Sequence, residues 1–327
     1  MSHTPARPTR RTLLTGAAAT AAAAVTGTAA VTGTAAVTGT AHAAAARPTP
    51  ARRSAARTPK ALLIGLDGCM LDRVAEADAP HLHRLIAGGL RAPGTIPYAF
   101  TLSGPGWSTL ATGVWPTKHG VRDNTFRGQR FATYPDVLTR VEQARPALRT
   151  YAVSSWPQLT SATGGGPLFS PAVDVRVAPP GSAYDAGTTQ DAVARLSATD
   201  APDASFVQLD NIDHAGHASG GASRAYLEAI EGADAQVGQM LTALTSRPTH
   251  AAEDWLIMVT ADHGHTDAGG HGGTSAREKQ TFVIAHGTGF TPGSTGTSRM
   301  VDVAPTLLTH LGIAIDPRWH LDGAPLR

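Results

Sequence analysis

Cysteine is nearly absent: the 327 residues contain one, Cys69. A single thiol excludes an intrachain disulfide framework and a zinc site built on paired thiolates. Any metal must then be held by His, Asp, Glu or hydroxyl oxygen. Acidic residues are missing altogether from the first 43 positions, where Thr9-Arg10-Arg11-Thr12-Leu13-Leu14 leads into an Ala/Thr/Gly/Val tract that ends in Ala41-His42-Ala43. That order is a basic n-region, an apolar h-region and a small-x-small cleavage site. The paired arginines are similar to a twin-arginine export signal, an address read by a receptor and not an anchor. The tract is diluted by Thr and Gly and by a repeated hexad, TGTAAV, so it makes a poor membrane span.

A one-signed charge field is lacking too. Removing residues 1–43 takes away three of the 27 basic residues and none of the 25 acidic ones, leaving 24 against 25. A near-neutral mature chain offers no broad basic surface for nucleic acid, and the arginines of segment 44–60 read as a basic, solvated linker. The expected organisation is therefore a signal peptide at 1–43, a linker at 44–60 and one catalytic-sized domain at 61–327. Hydrophobic residues make up 42% of the chain, enough for a substantial core.

From Ala61 onward, short apolar runs alternate with amphipathic segments. This pattern predicts an α/β domain, a three-layer α/β/α sandwich with a central, mostly parallel sheet. Strands are expected at 61–66, 150–154, 204–209, 255–260 and 281–285, and helices at 80–88, 107–113, 135–145, 188–197, 223–246 and 301–312. Segment 155–187 reads as irregular connection with little chemistry. Three of the strands run directly into acidic residues: Asp67-Gly68, Asp210-Asn211-Ile212-Asp213, and Ala261-Asp262-His263-Gly264. Residues just past the carboxyl ends of parallel strands line the ligand crevice of an open sheet. Carboxylates crowded there repel one another unless cations lie among them, and interleaved histidines favour a borderline ion such as zinc. Two such ions would clamp a phosphoryl group.

Four ordered pieces carry a family resemblance: Gly65-Leu66-Asp67-Gly68; Ser103-Gly104-Pro105-Gly106-Trp107-Ser108-Thr109-Leu110-Ala111-Thr112-Gly113 with Lys118-His119-Gly120; Asp213-His214-Ala215-Gly216-His217; and Thr260-Ala261-Asp262-His263-Gly264. The chain resembles the alkaline phosphatase superfamily, and within it the branch of type I phosphodiesterases and nucleotide pyrophosphatases. The resemblance implies an alkaline phosphatase-like fold and two divalent metal ions, with zinc preferred. One ion would be held by Asp67, Asp262, His263 and the nucleophile Ser103, the other by Asp213, His217 and a distal histidine. His271, in Gly269-Gly270-His271-Gly272-Gly273, is assigned to that last role, with His265 as its nearest rival and His286, His310 and His320 as more distant ones. Thr101 is the second choice of nucleophile. Gly106 stands where the branch commonly has asparagine, so a backbone N–H or a side chain such as Asn124 would have to stabilise the phosphoryl oxygen.

The implied activity is hydrolysis of a small-molecule phosphate ester through a covalent phosphoserine, with a phosphodiesterase as first choice and a phosphomonoesterase as second. A sulfatase or phosphonate hydrolase of the same fold is the rival enzyme, although Trp107 stands where a sulfatase requires arginine. A non-catalytic exported metal-binding protein is the remote alternative. The shortness of the chain argues against a large separate cap domain, and none is expected. His81, His83 and His119 read as structural or exposed, Trp107, Trp115 and Trp156 as core or crevice wall, and Cys69 as packing. Oligomeric state is left open.

Overall fold

The computed structural model describes residues 57–181 and 184–327. The expected signal peptide and most of the linker lie outside these residues. Among the described residues, eight strands form one sheet: β1 Thr58–Leu66, β2 Leu90–Thr95, β3 Thr150–Ser154, β4 Val175–Val177, β5 Ala204–Leu209, β6 Glu253–Ala261, β7 Gln280–His286 and β8 Ser294–Thr295. Nine α-helices among the described residues accompany them: α1 Leu71–Glu76, α2 Pro80–Ala87, α3 Ser103–Thr112, α4 Pro116–His119, α5 Val137–Ala144, α6 Tyr184–Ser197, α7 Asn211–Ser219, α8 Arg224–Thr245 and α9 Val303–His310. Strand β1 starts at Thr58, three residues inside the segment read as linker.

The strand order is β4-β3-β5-β1-β6-β7-β2-β8. The first five run parallel, and β7 is antiparallel to both β6 and β2. This is the mostly parallel three-layer sandwich that the apolar alternation predicts. Side chains of β1 alternate between two cores: Ala61 and Leu63 pack with α3, α5 and α9, whereas Leu62, Ile64 and Leu66 pack with α1, α2, α6 and α8. A strand covered on both faces is apolar throughout, and so the central strands were readable as continuous runs.

Strands β5, β1 and β6 are neighbours at the centre, with Leu66 paired to Leu209 and Gly65 to Thr260. Their carboxyl ends therefore finish level. The acidic residues that follow them are delivered to one short stretch of sheet edge. No helix among the described residues is long and apolar enough to cross a membrane.

Candidate metal centre

The residues immediately past β1 and β6 meet first. Asp67, Asp262 and His263 are all fully buried, and His263 Nε2 lies 3.5 Å from Asp67 Oδ1 and 3.3 Å from Asp262 Oδ2. Ser103 Oγ approaches the same nitrogen at 3.2 Å. Asp67 Oδ1 and Asp262 Oδ2 have no hydrogen-bond partner although both are buried. Burial, and then the charges of Asp262 and Asp213, push Asp67 well above the usual carboxylate range, and burial followed by Asp213 does the same to Asp262. Orphaned buried oxygens that resist ionisation are what a cation between them would relieve. The spacing fits as well: bonds of about 2.0–2.2 Å around a tetrahedral zinc imply donors roughly 3.3–3.6 Å apart.

Sequence places Ser103 just ahead of a helix; in the structure it is the first residue of α3. The helix begins four residues earlier than expected because Gly-Pro-Gly does not break it. Pro105 falls in the first turn, where the missing N–H has no partner to lose. The hydroxyl thus sits at a helix N-terminus, where the dipole favours negative charge. Gly106 packs against Asp262, and a Cβ there would stand 2.8 Å from Asp262 Cβ. An asparagine has no room at this position. Asn124 instead comes to the nucleophile loop, its Oδ1 accepting the Gly104 N–H at 2.8 Å.

The second set gathers around Asp213, which projects from the first turn of α7. His217, one turn on, brings Nε2 to 3.4 Å from Asp213 Oδ2. His271 brings Nε2 to 3.4 Å from Asp213 Oδ1 and 3.0 Å from His217 Nε2. His271 Nδ1–H donates to the Thr101 carbonyl at 2.6 Å, which fixes the tautomer and leaves Nε2 available. The flanking glycines do necessary work: Gly269, Gly270 and Gly272 have φ of +114°, +77° and +112°. Other residues rarely adopt such angles, and the loop folds back through them. Glu278 pins its end by accepting the N–H groups of Gly273 and Ser275.

His265 also reaches Asp213, with Nε2 2.8 Å from Oδ1. Both candidates for the distal histidine thus flank the same carboxylate, His265 fully buried and His271 partly buried, with its ring little exposed. Burial alone would raise Asp213, but the hydrogen bond from His265 and the nearby His263 and His271 rings hold it well below the usual range. Burial first, then the neighbouring imidazoles, lowers His263, and burial lowers His271. Neutral rings are the ligating form. The two sets share an edge, since the His263 and His271 rings stack at 3.7 Å.

The remaining candidates lie elsewhere. The Thr101 hydroxyl is occupied, donating to Gly273 O and accepting from Gly272 N. His310 meets the carbonyls of Lys60 and Asp254 near the amino ends of β1 and β6, and His286 ends the antiparallel β7. His119 is structural, bonding Thr109 and the Val121 N–H, and burial brings it down to about 3. Three supporting residues were not legible. Trp107 and Gln208 both donate to Asp67 Oδ2, at 2.8 and 2.9 Å. Asp185 accepts the N–H groups of Asp210 and Asn211 at 2.7 and 3.0 Å, so it anchors the start of α7. Segment 155–187 is therefore not chemically idle: a buried carboxylate is costly unless hydrogen-bonded, and Asp185 is used that way.

Comparison with known proteins adds the following. Residues 61–277 match the sequence model of the type I phosphodiesterase / nucleotide pyrophosphatase family. A 2,3-bisphosphoglycerate-independent phosphoglycerate mutase of Halobacterium salinarum is 31% identical over 136 residues, 40% of this chain and 25% of that protein. The catalytic subunit of human GPI ethanolamine phosphate transferase 2 is 31% identical over 109 residues, 32% of this chain and 11% of that one. The chain thus spans a quarter or less of the curated relatives it matches. Among solved structures, a 2-O GAG sulfatase superposes with a TM-score of 0.64 at 16% identity, covering 82% of this chain and 73% of its own. Murine ectonucleotide pyrophosphatase / phosphodiesterase 5, an inactive form in complex with AMP, superposes with a TM-score of 0.59 at 15% identity, covering 78% and 96%. At these identities the shared property is the fold.

Proposed function

This chain belongs to the type I phosphodiesterase / nucleotide pyrophosphatase family, and from that premise we propose that it is an exported, two-metal hydrolase of phosphate esters that acts on small-molecule phosphodiesters through a phosphoserine at Ser103. The observation that carries the reading is the position of Ser103 Oγ, 3.2 Å from His263 Nε2 at the N-terminus of α3, beside the unpartnered oxygens of Asp67 and Asp262. A serine in such a cluster has no structural duty that would require two bare carboxylate oxygens next to it. Export rests on the sequence of residues 1–43.

Asp67, Asp262, His263 and Ser103 would hold one divalent ion, and Asp213, His217 and His271 the other. Bound there, the ions supply Lewis acidity that lowers the serine hydroxyl pKa and neutralises charge on the phosphoryl oxygens. Ser103 Oγ forms the new P–O bond in line as the bond to the first alcohol breaks, and the proton that the serine gives up is taken up by the departing alkoxide, which leaves as the alcohol. The helix N-terminus favours the charge that gathers on the nonbridging oxygens. Asn124 Oδ1 accepts the Gly104 N–H, which leaves its amide N–H2 group to donate to a phosphoryl oxygen. Water then cleaves the P–O bond to serine and frees the phosphomonoester, and Ser103 recovers a proton.

Ser103→Ala tests this directly on matched aryl phosphodiester, phosphomonoester and sulfate substrates. Diester hydrolysis is expected to fall by more than about a thousand-fold, with a Ser103 peptide carrying the phosphoryl group and its second ester recoverable from acid-quenched wild type. Sulfate turnover exceeding both phosphates would assign the site to sulfuryl transfer. Undiminished diester turnover by the variant would remove Ser103 as nucleophile.

A further inference from the structure

Gln208 is a fully buried polar side chain one residue before the carboxyl end of β5, between Val207 and Leu209. Such a residue needs all of its hydrogen bonds satisfied, and they are. Its Oε1 accepts from the Trp156 N–H at 3.0 Å and lies 2.8 Å from Ser154 Oγ, whose one proton is shared with the Trp156 carbonyl at 2.7 Å. A backbone N–H can only donate, which leaves the amide a single orientation. Its NH2 group therefore faces the acids, donating to Asp67 Oδ2 at 2.9 Å and to Asp210 Oδ1 at 3.0 Å. Asp210 is itself held from the far side, its Oδ2 lying 3.1 Å from His214 Nε2. Trp107, also buried, donates to the same Asp67 Oδ2 at 2.8 Å.

Two neutral N–H groups thus converge on one oxygen of Asp67, and the other oxygen is bare. Asp262 is treated alike, its Oδ1 accepting the Gly68 N–H at 3.2 Å and its Oδ2 left without a partner. Turning Asp67 to present both oxygens would strand two buried donors. Resting on the reading of this cluster as a metal centre, we propose that Trp107 and Gln208 are positioning residues that withhold Asp67 Oδ2 from the ion, restrict Asp67 to one ligating oxygen, and thereby select a four-coordinate borderline cation over larger hard cations. Calcium and manganese gather six or more oxygens and use bidentate carboxylates to do so, whereas zinc is satisfied by four donors.

The test uses the full chain stripped of metal. Zinc and manganese affinities are measured by competition with a chromophoric chelator, and cobalt(II) is added separately, because its visible absorption is intense in four-coordinate sites and weak in six-coordinate ones. Trp107→Phe, which removes the N–H and keeps a ring, and Gln208→Leu are compared with wild type and with Asp67→Asn. At the ion that Asp67→Asn loses, each variant is expected to lower the zinc-to-manganese affinity ratio by about 10- to 100-fold and to weaken the cobalt band. An unchanged ratio and band in a variant that still melts cooperatively overturns the proposal. Should neither variant fold, wild type alone decides: an intense cobalt band supports the proposal and a weak one overturns it. Failure of the underlying reading looks different, since wild type and Asp67→Asn would then bind equal numbers of ions, or none.

Discussion

The substitution Gly106→Ala places a methyl group where α3 passes closest to Asp262. The added carbon would stand 2.8 Å from Asp262 Cβ and 3.0 Å from its carbonyl oxygen. Carbons rest at about 3.5–4.0 Å, so something must give by roughly 0.7 Å. Neither partner is a flexible tip: Asp262 follows directly on β6, and Gly106 lies in the helix that begins with Ser103. Both carry site atoms, and metal donors tolerate displacements of only about 0.2 Å. Overpacking of this kind costs about 1–3 kcal/mol. The metal-stripped variant should lose that much in urea denaturation, and zinc affinity should fall at least about tenfold. Ester hydrolysis should fall further, because Ser103 and Asp262 move apart. A variant that keeps wild-type zinc affinity and an unchanged denaturation midpoint would refute the reasoning, since the contact would then be absorbed elsewhere.

Asp67 and Asp262 have folded pKa values raised above their unfolded ones by burial and then by neighbouring carboxylates, Asp262 and Asp213 for Asp67 and Asp213 for Asp262, so their contribution to the stability of the stripped chain is complete below the unfolded carboxylate pKa and is lost as pH rises through the raised values. Metal binding favours the ionised forms, so the gain in melting temperature on adding zinc should be larger at pH 8 than at pH 5; equal gains would count against these two as ligands. His271→Ala should reduce the bound ions from two to one, whereas His265→Ala should keep both and weaken the Asp213 site about tenfold; the reverse pattern in metal analysis would make His265 the ligand. Asp185→Ala removes the acceptor of the Asp210 and Asn211 N–H groups and should cost about 1–3 kcal/mol in urea denaturation; a smaller loss would mean that water replaces it.

The central strands β3 and β5 were legible to the residue, and β1, β6 and β7 to within three, because buried strands announce themselves as uninterrupted apolar runs. Helix α7 was not legible. Its sequence, Asn-Ile-Asp-His-Ala-Gly-His-Ala-Ser, has almost no apolar periodicity, because one face is given over to the acid and histidine that meet His271. Strand β2 was missed because Leu-Arg-Ala-Pro-Gly-Thr contains both residues that usually interrupt strands. Six of the seven proposed site residues could be named because each follows a strand, opens a helix or sits in a glycine loop, and His217 because it stands four residues after Asp213 in Asp-His-Ala-Gly-His. Trp107, Gln208 and Asp185 were invisible for the opposite reason: their work lies in hydrogen bonds across 40, 141 and 25 residues of sequence. The glycine pattern at 269–273 announced a loop but not where the loop returns, and so His265 and His271 could not be separated from sequence alone.

Metal content measured on the purified chain, with bis-aryl phosphate hydrolysis followed on the same samples before chelation, after chelation and after zinc is restored, bears most directly on the two-metal account. Two ions per chain, activity lost as they are removed and regained as the second is returned, is the predicted result. Full hydrolysis by chain that retains no divalent ion would contradict it.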